Sequence, residues 1–168
     1  MTEEPQSNSM VSDGSPARAW AEAVAALAAA DTYWLSTVRA DGRPHVVPIL
    51  GVVVDGAFHF AAWPGSVAGR NLAANPRCVV AVNADGIDLA VEGRAVPVRD
   101  EPVLQAAAAR YLDQYDWPVE IRDGVFHADG APTAGPGPFD VYALTPSKGF
   151  GYGSGEGEPY NPTRWRFG

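Results

Sequence analysis

From Thr32 the chain alternates short apolar runs with polar turns, and the runs are rich in β-branched and aromatic residues: TYWLSTVR, PHVVPILGVVV and AFHFAAW. They are separated by Ala40-Asp41-Gly42-Arg43 and by Asp55-Gly56. Asp-Gly supplies the positive φ angles that tight hairpins need, so the three runs predict an antiparallel meander. Pro44 and Pro48 cannot donate to a ladder. The second strand is therefore expected at a sheet edge or bulged near Pro48, with backbone groups around Val47 to Leu50 free for another partner.

The next unit, WPGSVAGRNLAANPRCVVAVN over Trp63 to Asn83, joins a short helix to an apolar strand. Ser66 is placed to cap the helix, Leu72 and Ala73 to pack it, and Asn75-Pro76 to end it, because the residue before proline resists the α region. Cys78 to Val82 reads as a buried strand. A helix start with free amides, a serine and Arg70 suits an anion; a plain surface helix with Arg70 in solvent accounts for the same residues.

A loop ADGID leads to a further strand, LAVEGRAVPVR, whose interior Gly93 predicts a bulge or bend. Asp100 caps a second helix, EPVLQAAAARYLDQY, expected to bury a face with Val103, Ala107, Arg110 and Tyr111. Asp116 to Pro138 contains one possible hairpin, EIRDGVFH, and a Pro/Gly-rich loop of the sort that forms lids or surface excursions. FDVYALTP is another strand, and Thr163 to Phe167 a last one after a glycine-rich stretch.

At the other end, Ser15-Pro16 is expected to open a helix over ARAWAEAVAALAAA with Trp20, Val24 and Leu27 on one face. Residues 1–14, polar and acidic, are expected to be a disordered tail, leaving 15–168 as one domain. Short antiparallel strands, two to three covering helices and no βαβ alternation exclude a parallel Rossmann-like sheet and predict a mainly β, α+β small barrel.

Charge and composition narrow the function. Twelve basic against 20 acidic residues give a net charge of −8, which opposes nucleic acid as a partner. No basic n-region precedes an apolar core at the start, and the run from Ala19 to Ala30 is too short for a bilayer, so a cytoplasmic protein is expected. The single Cys78 is expected as a small buried hydrophobe. His45, His59 and His127 lack metal-ligand spacing, and no serine stands in G-x-S-x-G. The run Gly149-Phe150-Gly151-Tyr152-Gly153 lacks the Lys-Ser/Thr of a phosphate loop and fits a strand crossing a tight barrel corner. Trp165 and Arg166 are of types enriched at buried interfaces, although a strand that merely closes the barrel explains them equally.

Taken in order, WLSTVRADGRPHVVPI, DGAFHFAA, GRNLAANPRCVVAV, LAVEGRAVPV and KGFGYGSGEGEPYNPTRWRF resemble the pyridoxamine 5'-phosphate-oxidase-like FMN-binding split barrels, and among them the flavin/deazaflavin-dependent oxidoreductases. The resemblance spans about Trp34 to Phe167. It implies a six-stranded antiparallel split β-barrel with Greek-key connections, and a homodimer with cofactor sites between the subunits. It implies FMN or the deazaflavin coenzyme F-420, with hydride transfer to or from a small unsaturated or heteroaromatic substrate. By the same resemblance Trp63, Ser66, Gly69, Arg70 and Asn71 would hold the cofactor phosphate, and Val47, Pro48 and Ile49 the ring. Trp165 and Arg166 of the partner would complete the cleft. Many relatives carry lysine in an S-x-K-x-R-N-L arrangement, and the matching position here is Ala68. A non-catalytic binder of a flavin, haem or other planar ligand is the alternative.

Overall fold

The computed structural model describes residues 4–132, 135–157 and 159–168. The meander forms as its turns require: β2 (Tyr33–Val38), β3 (Pro44–Ile49), β4 (Gly51–Val54) and β5 (Ala57–Ala62) follow one another. Asp55 and Gly56 both take positive φ, 49° and 77°. The long second run is split at Leu50 into β3, which pairs with β2, and β4, which pairs with β5. Gly51 permits the bend, since a Cβ there would lie 2.2 Å from the Phe58 ring.

From β5 the chain crosses through α2 (Val67–Ala74) to β6 (Arg77–Ala84), which pairs with β2, and turns at Asp85-Gly86 into β7 (Ile87–Pro97). A fourth strand returning beside the first is a Greek key. After α3 (Glu101–Tyr115) and the hairpin β8 (Glu120–Arg122) and β9 (Val125–His127), β10 (Asp140–Gly153) inserts between β5 and β7. With β3 and β4 taken as one bent strand, the ladders close a ring β2–β3/β4–β5–β10–β7–β6. The segments run to β11 (Thr163–Arg166), more than the six expected, because of the bend at Leu50, the β8–β9 hairpin, and β1 (Gln6–Ser9) and β11 added beyond β10.

Four local expectations need correction. Residues 1–14, expected as a disordered tail, include β1, which pairs in register with β11 from Gln6↔Arg166 to Ser9↔Thr163; residues 1–3 lie outside the described ones. The first helix, α1 (Trp20–Ala29), starts after Ala19 rather than at Ser15-Pro16. The Arg18 amide donates to Thr163 Oγ1 at 2.9 Å and the Arg18 carbonyl accepts from Trp165 Nε1 at 3.0 Å, which spends this backbone on the barrel. Its buried face is Ala23, Ala26 and Leu27, and that of α3 is Leu104, Ala107 and Tyr111, while Arg110 is exposed. The irregularity expected at Gly93 falls on the neighbouring strand, between Pro146 and Lys148; Gly93 instead admits the Thr145 carbonyl, which a Cβ would meet at 2.3 Å.

On the outer face the register lines up an apolar row: Pro48, Trp34, Ala81, Ala90 and Phe150 are successive cross-strand partners on β3, β2, β6, β7 and β10. Trp34 and neighbouring Val46 are 51% and 54% exposed. No helix among the described residues is long and apolar enough to cross a membrane.

Candidate functional site

A cleft of about 320 Å³ opens where β3, the start of α2 and α3 converge. That volume is within the range of small-molecule sites. Its floor is β3, through His45, Val47, Pro48 and Ile49. Among the described residues no strand pairs with the outer edge of β3. A proline cannot stand where a ladder needs an N–H, so Pro44, Pro48 and, by alternation, Val46 turn toward that open edge. The edge thus offers carbonyls and a single amide, that of Val46.

One wall is the segment from Trp63 into α2, with Ser66, Val67 and Ala68. Ser66 caps the helix as expected, its Oγ accepting from the Gly69 amide at 2.9 Å. The Val67 and Ala68 amides have no hydrogen-bond partner among the described residues, so two donors at the positive end of the helix border the cleft. Arg70 is exposed, and one of its guanidinium nitrogens donates to the Gly65 carbonyl, which holds it near the same helix start.

The opposite wall was not anticipated. Tyr111 of α3, with Trp117, Ala131 and Phe139 from the long connection, closes it. Trp117 meets Tyr111 and Phe139 edge-on at 5.2 and 5.4 Å, and its indole N–H donates to the Gly130 carbonyl at 2.7 Å. The Tyr111 hydroxyl donates to the Leu50 carbonyl at 3.2 Å and accepts from the Ala61 amide at 3.1 Å, satisfying the two strands where they part at the bend. Burial pushes its ionisation far above the usual tyrosine range, so it stays a neutral spacer. Helix α3 reads as scaffold in sequence because nothing local marks which strand its Tyr111 will meet.

Of the expected residues, Val47, Pro48, Ile49, Trp63 and Ser66 gather in the cleft, and Arg70 stands beside it. The others do not line it. Gly69 is buried, packed so closely on the segment before the helix that a Cβ would strike the Trp63 carbonyl at 2.3 Å. Asn71, also buried, donates from Nδ2 to Thr37 Oγ1 at 2.9 Å, behind the cleft. Trp165 is wholly enclosed in its own barrel, between Trp20 at 5.5 Å and the glycines Gly149 and Gly151, where a Cβ would meet its ring at 2.9 and 2.6 Å. A ring so placed reaches neither a ligand nor a partner subunit. Arg166 is exposed on β11, in register with Gln6 and Lys148.

His45, whose sequence setting carries no metal-ligand spacing, also lines the cleft. Its Nδ1 lies 3.3 Å from Thr37 Oγ1, and Nε2 has no partner among the described residues. His59, by contrast, is enclosed, with Nδ1 donating to the Ala57 carbonyl at 3.0 Å, and burial holds its pKa below the usual histidine value. Cys78 is buried as expected, its thiol pushed up to about 11 by that burial. Among the described residues no three His, Cys, Asp or Glu gather as a metal site would require.

These groups fit the two halves of a flavin unequally. An apolar floor facing an aromatic wall suits a planar ring, and two unpartnered amides with the Ser66 hydroxyl suit a phosphate. Among the described residues no lysine or arginine lines the cleft itself, and the buried Ala68 methyl stands in its wall.

A family model described as pyridoxamine 5'-phosphate oxidase matches residues 19–152. No curated protein matches the chain. Among solved structures, a haem-binding protein from Mycobacterium smegmatis is similar at 24% identity and a TM-score of 0.60, over 79% of this chain and 53% of that one. The chain thus spans about half the length of that protein. A conserved hypothetical protein from Mycobacterium tuberculosis aligns with a TM-score of 0.65 at 17% identity, covering 86% of this chain and 90% of that one. An F-420 reductase aligns with a TM-score of 0.52 at 20% identity, over 74% and 93% respectively. At such identities the likeness establishes the split-barrel fold.

Proposed function

Because the chain belongs to the pyridoxamine 5'-phosphate oxidase family, we propose that it is a cytoplasmic flavin- or deazaflavin-dependent oxidoreductase acting on a small unsaturated or heteroaromatic compound. The observation that carries this reading is the cleft between β3 and α2, apolar along its floor and lined on one side by the unpartnered amides of Val67 and Ala68. In it, Ser66, the two amides and Arg70 would hold the phosphate of FMN, or the phosphodiester of the deazaflavin, while Val47, Pro48 and Ile49 would support the ring. The bound cofactor would supply hydride transfer, and the chain would supply orientation and a water-poor surface from Tyr111, Trp117 and Phe139. His45 would present Nε2 to whatever lies on the floor.

A second copy of the chain is the proposed partner. The row from Pro48 through Trp34 to Phe150 is apolar and partly solvent-facing across five strands, and it adjoins the cleft at Pro48, so a dimer built on it would complete the mouth of the site. Arg166, exposed on β11, would then act from the partner.

The second reading is a non-catalytic binder of a planar ligand such as haem. It draws on the absence of lysine and arginine from the cleft lining among the described residues and on the similarity to the haem-binding protein from Mycobacterium smegmatis. The absorption spectrum of the purified full chain, followed by titration with FMN, with the deazaflavin and with hemin, separates the two. Affinity for hemin alone favours the binder.

A further inference from the structure

Away from the cleft, the register of β6 and β7 sets Arg77 directly opposite Arg94 on the outer face of the barrel. Both side chains are exposed, and both line a groove of about 560 Å³ that shares no lining residue with the cleft. Residues opposed in this way have Cβ atoms about 5 Å apart, and like charges placed there repel.

Among the described residues no carboxylate lies within 4.0 Å of either arginine. Arg43, Arg99, Arg110 and Arg122 each lie within 4.0 Å of a carboxylate, whereas Arg77 and Arg94 pair with none. The groove's own acid, Glu92, has its carboxylate 3.9 Å from Lys148. A chain with 20 acidic residues against 12 basic ones nonetheless keeps two cations face to face here. Ser36 and Ser147 border the same groove; Ser147 donates to the Glu92 carbonyl at 3.2 Å, and Ser36 has no side-chain partner among the described residues.

We propose that Arg77 and Arg94 form a binding site for an oxyanion, a phosphate or carboxylate group of a small molecule, held between the two guanidiniums. Each guanidinium presents forked donors that match either group bidentately. An anion between them would turn the repulsion into two charge-assisted contacts, and the Ser36 hydroxyl could add a third. The site lies on the face proposed to carry a second copy, where loss of water would strengthen the demand for a counter-charge. It stands independently of any cofactor in the cleft.

The test uses the full chain with Arg77→Gln and Arg94→Gln, melted in low-salt buffer free of oxyanions and then titrated with inorganic phosphate and, separately, with glutarate, against sodium chloride at matched ionic strength. One oxyanion should raise the parent's melting temperature saturably, and each substitution should weaken that response about tenfold or more. Without oxyanion, neither variant should melt below the parent, because each relieves a repulsion. The arm that saturates at lower concentration identifies the phosphate or the carboxylate as the preferred group. A parent that responds to neither beyond chloride, or variants that respond as fully as the parent, would overturn the proposal.

Discussion

The Asn71 side-chain amide donates to Thr37 Oγ1 at 2.9 Å, and this one bond ties helix α2 to strand β2 immediately behind the cleft. Thr37 is nearly inaccessible, and among the described residues its hydroxyl hydrogen has one acceptor within reach, His45 Nδ1 at 3.3 Å. With Nδ1 accepting, the neutral imidazole carries its proton on Nε2, the nitrogen left for the cleft. Thr37→Val keeps the shape but strands the Asn71 donor, so it should cost about 1–3 kcal/mol in denaturant unfolding. Long-range proton–nitrogen NMR should report the Nε2–H tautomer in the parent and in Thr37→Ser, and a mixture in Thr37→Val. An Nδ1–H tautomer in the parent would contradict the assignment.

At the helix start, Ala68 marks the place where a cation is missing. Ala68→Lys should tighten FMN by about tenfold to a hundredfold, the worth of one charge-assisted bond to phosphate, and leave riboflavin unchanged. Arg70→Ala should do the reverse, weakening FMN alone. Fluorescence titration of both ligands reads both effects.

Trp165 is a core residue. Truncating it to alanine should cost about 3–5 kcal/mol in denaturant unfolding, since the ring fills the space that Gly149 and Gly151 leave open and its indole N–H satisfies the Arg18 carbonyl. A smaller loss, accompanied by altered flavin binding, would return Trp165 to the ligand.

His59 titrates against the fold. Its folded pKa lies below the usual value near 6.5 because burial disfavours the charged ring. The unfolded chain therefore binds the proton more readily. The contribution is fully present above about pH 6.5 and is lost as pH falls toward the depressed folded value. The melting temperature of the parent should decline from pH 7 to pH 5, and His59→Gln should flatten that decline. Equal slopes would contradict it.

What could be read in the sequence follows the range of the forces involved. Asp55-Gly56, Ser66, Asp100 and Asn75-Pro76 act within a few residues, and the turns, caps and helix end they predict are all present. Pro44 and Pro48 fixed β3 as an edge, and hence the cleft floor. The aromatic wall was illegible because Tyr111, Trp117 and Phe139 meet the floor only through the crossover of α3. β1 escaped notice because a polar strand such as Gln6–Ser9 is stabilised by its ladder to β11 rather than by its own composition. For Trp165 a signal did exist: glycines alternating with aromatics over Gly149–Gly153 announce a large ring on the neighbouring strand, whereas the preference of tryptophan for interfaces pointed outward.

The central claim is that the start of α2 holds the phosphate of a flavin whose ring lies on β3. Equilibrium titration of the full chain with FMN and with riboflavin, followed by flavin fluorescence, tests it most directly. The account predicts saturable FMN binding below about 100 μM, tighter than riboflavin by about tenfold or more because only FMN meets the Val67 and Ala68 amides. Equal affinities, or no binding of either flavin at that concentration, would contradict it.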